Sequence, residues 1–149
     1  MNLYLDASIV VPRLVEEPGT AVVEAYLAGC SAQLLISDFA AAEVASALSR
    51  LVRTRLLATA DALSALNDFE IWRAARCSPA DVHATDARLA YAYVQRFDLM
   101  LRTPDALHLA ISRRLDATLI TLDGRLANAA RELGIAVVVP GTDTPHDLG

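Results

Sequence analysis

The sequence predicts an α/β fold with a central, mainly parallel sheet of four to five short strands and helices on both faces, hence three layers. Three observations lead there. Runs such as LLIS at 34–37 and ATLIT at 117–121 are apolar throughout and too short for helices, as buried strands are. The segments between such runs carry apolar residues at helical spacing. Strand and helix also alternate along the chain, which favours parallel strands joined by crossover helices.

Each element has its own warrant. NLYLD at 2–6 reads as the first buried strand, and GTAVVEAYLA at 19–28 as a helix with Val22, Val23, Tyr26 and Leu27 on one side. LLIS is the second strand. A long helix starts at Asp38, with Ser37 as its cap, and runs to about Leu57 through Phe39, Ala42, Val44, Ala45, Leu48, Leu51 and Val52. Arg50, Arg53 and Arg55 suit the negative end of its dipole. Residues 59–73 and 85–98 read as two more helices. RCSPADVHA between them holds Pro79 and is a loop or a short edge strand. Thr103 is the expected N-cap and Pro104 the first residue of a helix ending near Leu115. ATLIT is then a central parallel strand. After Asp123-Gly124 a helix runs to Leu133 and closes on Gly134. IAVVV at 135–139 is the last strand, stopped by Pro140. Residues 1–140 are therefore expected to form one domain, with 141–149 a flexible tail.

The bulk numbers narrow the function. A chain of 149 residues, 54% hydrophobic and 21% charged, can bury its own core. No apolar run reaches the roughly 18 residues that span a bilayer, and Asp6 interrupts any secretory signal core. Cys30 and Cys77 lie far apart with no CxxC spacing, which fits a reduced, cytoplasmic protein. A net charge of −5 argues against passive nucleic-acid binding, though not against an enzyme whose acidic pocket is neutralised by cations. All 13 basic residues are arginine, so mechanisms that need a lysine are excluded.

The acids are placed suggestively. In an open parallel sheet, ligands bind outside the carboxyl ends of the strands. Asp6, Asp38 and Asp123 each lie at or just past such an end. Asp105 opens a helix that runs opposite to the next strand, so it reaches the same edge. Glu43 lies about 7 Å along its helix from the start. Asp6, Glu43, Asp105 and Asp123 can therefore meet. Four crowded carboxylates repel one another and raise their own pKa values unless a divalent cation joins them. All-oxygen donors select Mg²⁺ or Mn²⁺, and His83, His108 and His146 are too scattered for a zinc site. Singly, three of the acids also have an ordinary reading, whereas Glu43, among Phe39, Ala40, Ala41, Ala42, Val44 and Ala45, would be costly to bury alone. Asp6 can cap a following helix, Asp105 suits a helix N-terminus, and Asp123-Gly124 is a common turn pair. Asp38 reads chiefly as a helix-start residue and His108 as a packing or surface residue of its helix. Ser8 reads equally as a cap or as a hydrogen-bond partner of a metal ligand.

The segments YLDASIVVPRLVEEPGT, ISDFAAAEVASALSRLVR and LRTPDALHLAISRRLDATLITLDGRLANAARELGIAVV together resemble a PIN domain, and within that family the VapC-type toxins of bacterial toxin–antitoxin pairs. The motifs are D-x-[ST] at Asp6 and Ser8, S-x-x-x-x-x-E at Ser37 and Glu43, D-A-L-H-L-A from Asp105, and T-x-D at Thr121 and Asp123. Residues 58–100 match only in helical character. The resemblance implies a PIN-like fold and a Mg²⁺- or Mn²⁺-dependent endoribonuclease. Asp6, Asp105 and Asp123 would touch the metal, Glu43 would do so directly or through water, and Ser8 and Thr121 would support them. Many relatives carry another acid shortly after the last aspartate, where this chain has Gly124, Arg125 and Leu126. The family further implies a homodimer and a small VapB-type antitoxin laid over the groove. Arg13, Arg50 and Arg53 are candidates for holding RNA phosphates.

Other classes fit less well. Haloacid-dehalogenase-type phosphatases need a second acid two residues after the first, where Ser8 stands. Response-regulator receivers need a lysine, which is absent. A catalytically silent metal- or protein-binding module is the alternative reading.

Overall fold

The computed structural model describes residues 1–143. Five parallel strands form one sheet in the order β3-β2-β1-β4-β5. They are β1 (Asn2–Leu5), β2 (Gln33–Ser37), β3 (Cys77–Ala80), β4 (Thr118–Ile120) and β5 (Val137–Val138). Seven α-helices cover the sheet among the described residues: α1 (Ala7–Leu14), α2 (Thr20–Ala28), α3 (Asp38–Arg53), α4 (Thr59–Arg76), α5 (Ala84–Val94), α6 (Thr103–Arg114) and α7 (Gly124–Glu132). The predicted three-layer architecture and parallel sheet are what the chain forms.

Strand alternation sorts the core into two faces. Tyr4, Leu35 and Leu119 point to one face and pack under α5, α6 and α7, against Ala90, Leu109, Ile111 and Ala130. Leu3, Leu5, Leu34 and Ile120 point to the other, beneath Ile9 of α1 and Val23 and Leu27 of α2. Beside them Ile36 meets Val44 and Leu48 of α3 and Phe69 of α4. Both faces of the inner strands are thus covered, which is why their sequences are apolar without alternation. Between α5 and α6 the buried Asp86 receives two hydrogen bonds from Arg114, at 2.8 and 3.0 Å.

Several boundaries differ from the sequence expectation, each for a local reason. The long helix stops at Arg53 rather than near Leu57, because Arg55 takes a left-handed turn at φ 59°. The helix expected over 85–98 ends at Val94, and Phe97–Leu99 forms a separate 3-10 turn. Pro79 does not break the chain. It lies in β3, an edge strand, where its missing N–H costs no ladder bond. Thr103 is the first helical residue of α6, and Arg102 takes the N-cap place, so Pro104 falls at the second position. Gly134 closes α7 at φ 69°, as expected of a C-terminal glycine. Residues 141–143 form a turn in which Asp143 accepts the Val139 N–H at 2.6 Å and pairs with Arg131. The rest of the expected flexible tail, 144–149 with His146, lies outside the described residues. No helix among them is long and apolar enough to cross a membrane.

One buried hydroxyl yields a stability prediction. Ser112 of α6 is fully buried, and its Oγ is the one buried side-chain polar atom among the described residues without a hydrogen-bond partner. An unmet buried hydroxyl costs about 1–3 kcal/mol, and alanine is the better helix former. Ser112→Ala is expected to raise the thermal midpoint by about 2–4 °C, for roughly 1 kcal/mol gained. A melting curve at or below the wild type would show that the hydroxyl is satisfied after all.

Candidate active site

The strand order reverses direction between β1 and β4: from β1 the chain goes one way to β2 and β3, then returns to place β4 and β5 on the other side. The carboxyl edge at such a switch point is the natural ligand cleft of an open α/β sheet. Two turns meet there. Asp6 follows β1 and caps α1, accepting the Ser8 N–H at 3.1 Å. Asp123 follows β4 and caps α7, accepting the N–H groups of Arg125 and Leu126 at 2.9 and 3.3 Å.

Two hydroxyls lace these turns together. Ser8 Oγ accepts the Leu122 N–H at 2.9 Å and donates to Asp6 Oδ1 at 2.5 Å. Thr121 Oγ1 accepts the Asp123 N–H at 3.0 Å and donates to Asp6 Oδ2 at 2.6 Å. Each hydroxyl thus takes one loop N–H and gives its hydrogen to one Asp6 oxygen. Asp6 is only 5% exposed, and this pair orients it. Burial pushes its carboxyl above the ordinary range; the Ser8 and Thr121 hydrogen bonds oppose the rise, and Glu43 adds to it.

The other two acids arrive on helices. Glu43 sits in the second turn of α3 and Asp105 in the first turn of α6. Glu43, Asp105 and Asp123 share the wall of one cavity of about 300 Å³ with Arg102 and Arg125. Burial raises the Asp105 carboxyl above its usual range, and the neighbouring Asp123 charge raises it further, against a backbone hydrogen bond at Arg102. Glu43 accepts a hydrogen bond from His108 Nε2. His108 is therefore buried, and both ring nitrogens are engaged, Nδ1 with the Tyr4 hydroxyl at 2.8 Å.

Three of the four acids singled out in the sequence thus line one cavity, and the buried Asp6 lies behind it, close enough to Glu43 to feel its charge. Among the described residues no three His, Cys, Asp or Glu side chains stand together at metal-holding distance. Asp6 is turned onto Ser8 and Thr121, and Glu43 onto His108. The donor set still suits a hard divalent cation. It is all oxygen and anionic, and no cysteine lines the cavity.

Asp38 stands apart. Its side chain is 95% exposed and meets Arg73 at 3.4 Å, while Ser37 caps α3 by accepting the Ala40 N–H. The three arginines proposed for phosphate do not line the acidic cavity. Arg13 pairs with Glu24 at 3.1 Å and lies over the Trp72 ring. Arg53 donates to Ser49, and Arg50 and Arg53 sit in the last turn of α3. At 1.5 Å per residue they lie about 18–22 Å along the helix from Asp38. The cavity's own arginines, Arg102 and Arg125, were missed in the sequence reading. A signal existed: both stand at helix N-termini, where the dipole disfavours a cation.

Fold and site together define a class of protein: an open parallel α/β sheet that gathers carboxylates from separate segments at its switch point. The family model for the PIN domain matches residues 3–132, and the chain belongs to the PIN domain family. The family resemblance read from the sequence is borne out. The chain is 32% identical over 141 residues to Ribonuclease VapC46 of Mycobacterium tuberculosis, covering 93% of this chain and 97% of that protein. Among solved structures it is similar to Mycobacterium tuberculosis VapC20, described as a sarcin-ricin loop cleaving toxin. There the TM-score is 0.69 at 17% identity, over 85% of this chain and 94% of that one. It is also similar to VapBC2 from Rickettsia felis bound to a promoter DNA fragment. There the TM-score is 0.68 at 15% identity, over 94% and 99% of the two chains.

Proposed function

We propose that this chain is a Mg²⁺- or Mn²⁺-dependent endoribonuclease, the toxin of a VapBC-type pair, acting in the cytoplasm as a homodimer held in check by a VapB-type antitoxin. The observation that carries the reading is that Glu43, Asp105 and Asp123 line one cavity at the β1/β4 switch point, with the buried Asp6 near Glu43. The 32% identity to a named ribonuclease supports it over nearly the whole chain, and solved VapBC complexes of the same fold support the antitoxin partner.

Asp6, Asp105 and Asp123, with Glu43 directly or through water, would hold the cation. When bound, it would polarise the phosphodiester and stabilise the leaving oxygen. The protein's own residues do the rest. Ser8 and Thr121 fix the Asp6 carboxylate, so it needs no reorientation as substrate enters. Arg102 and Arg125 on the cavity wall take the phosphates that flank the scissile bond. That pairing explains how a protein of net charge −5 engages RNA: the cation and two local arginines reverse the field where the backbone must pass.

The test is cleavage of structured RNA by purified protein in Mn²⁺ or Mg²⁺, in EDTA, and with Asp6→Asn. Cutting is expected only with metal and intact Asp6. Protein that captures an antitoxin but leaves RNA whole under either metal would replace the nuclease with the silent binding module.

A further inference from the structure

A buried chain of side chains ends on Glu43. Ser37 is fully buried, and its Oγ accepts the Ala40 N–H at 3.0 Å as the cap of α3. The other group within its reach is the Tyr4 hydroxyl at 2.8 Å. The Ser37 hydrogen therefore goes to Tyr4 Oη, since a buried hydroxyl must place its hydrogen somewhere. With its oxygen accepting from Ser37, Tyr4 directs its own hydrogen to His108 Nδ1 at 2.8 Å. Burial holds the Tyr4 phenol well above its ordinary pKa, so it remains a donor. Nδ1 is then an acceptor, and the imidazole hydrogen sits on Nε2, aimed at Glu43 Oε1. The ring is also clamped between neighbours, with centroids 5.6 Å from Tyr4 and 5.0 Å from Phe39.

We infer that Tyr4 and His108 are positioning residues for Glu43: the Ser37–Tyr4–His108 chain locks the Nε2–H tautomer, which binds one Glu43 oxygen and leaves the other for the acidic cavity. The sense of the chain is set by the helix cap itself. Because α3 requires the Ala40 N–H to be accepted, the start of the helix that carries Glu43 dictates how the histidine serves Glu43. The metal-binding part of this inference rests on the nuclease reading; the tautomer does not. Partners that orient a ligating side chain typically change metal affinity about 10- to 100-fold when removed.

The experiment is long-range ¹H–¹⁵N correlation of the histidine rings in metal-free protein at pH 7.5, followed by Mn²⁺ calorimetry. The His108 signals, assigned by their loss in His108→Gln, are expected to show the Nε2–H form. Tyr4→Phe is expected to mix the tautomers and weaken Mn²⁺ binding about tenfold or more. His108→Gln, which can still donate to Glu43, is expected to bind Mn²⁺ more tightly than His108→Leu. An Nδ1–H or doubly protonated ring in the wild type overturns the inference, even if RNA is cut. So does unchanged Mn²⁺ affinity in Tyr4→Phe. The expected tautomer in a protein that binds Mn²⁺ but cuts no RNA would sink the nuclease reading and leave the positioning chain standing.

Discussion

Asp123→Asn is expected to lower single-turnover RNA cleavage in saturating Mn²⁺ by about a thousandfold, with the fold intact. Both halves follow from where the residue sits. Its Oδ1 already accepts the Arg125 and Leu126 N–H groups as the cap of α7. Asparagine caps helices as well as aspartate does, and its carbonyl oxygen can keep both bonds. The substitution therefore removes a negative charge from the cavity and little else. A cation's stabilisation of the developing charge amounts to several kcal/mol, and each 1.36 kcal/mol is tenfold in rate. Loss of one anionic ligand thus converts to about 10³ if some 4 kcal/mol is forfeited. The matching change at Asp6 is a less clean probe, because Ser8 and Thr121 donate to both its oxygens. An amide NH₂ in either place would face a donor and force a hydroxyl to turn. Asp123→Asn protein that cuts at the wild-type rate with an unchanged melting curve would remove Asp123 from the chemistry.

Much of this was legible because it is local. The inner strands announce themselves as unbroken apolar runs, since both faces of the sheet are covered. Three of the acids are legible for a related reason: each ends a strand or opens a helix, so topology alone delivers Asp6, Asp105 and Asp123 to one edge. Glu43 was legible as an acid with no structural excuse among alanines, and its side chain is indeed partly exposed, at 32%, on the cleft. What escaped the sequence is non-local. His108 reads as an ordinary residue of an apolar helix. Its role depends on Tyr4, 104 positions away, and Glu43, 65 positions away. The arginines expected to hold phosphates were Arg13, Arg50 and Arg53. Arg50 and Arg53 already serve the α3 C-terminus, while Arg102 and Arg125 sit against the dipole. Chain direction, which puts a helix's first turn at the site and its last turn far away, decides between them.

The same crowding that makes the pocket fit a cation makes the metal-free protein pH-sensitive. Asp6 and Asp105 both have carboxyls raised by burial first and by acidic neighbours as well. A raised carboxyl adds stability while it is protonated, below the ordinary value near about 3.9, and loses it as pH rises through the folded value. EDTA-treated protein is therefore expected to melt lower at pH 7.5 than at pH 5.5. Asp86 has the opposite sign. Burial raises its carboxyl, but Arg114 and the His83 N–H together outweigh burial and hold it below the usual range. Its contribution is lost only as pH falls below about 4, outside this window. Mg²⁺ or Mn²⁺ at about 100 times its dissociation constant adds about 2.7 kcal/mol. For a chain of this size that is about 5–10 °C in thermal midpoint, and at one fixed metal concentration the gain should be larger at pH 7.5 than at pH 5.5, since the deprotonated acids bind more tightly. Asp105→Asn separates repulsion from ligation. Because Asp105 is partly solvent-screened, it should raise the metal-free midpoint by only about 1–2 °C, for roughly 0.5 kcal/mol, while most of the gain from metal disappears. A metal-free wild type that melts higher at pH 7.5 than at 5.5, or an Asp105→Asn protein that loses stability in EDTA, would mean that the carboxylates do not strain one another. The physical case for a cation between them would then fall.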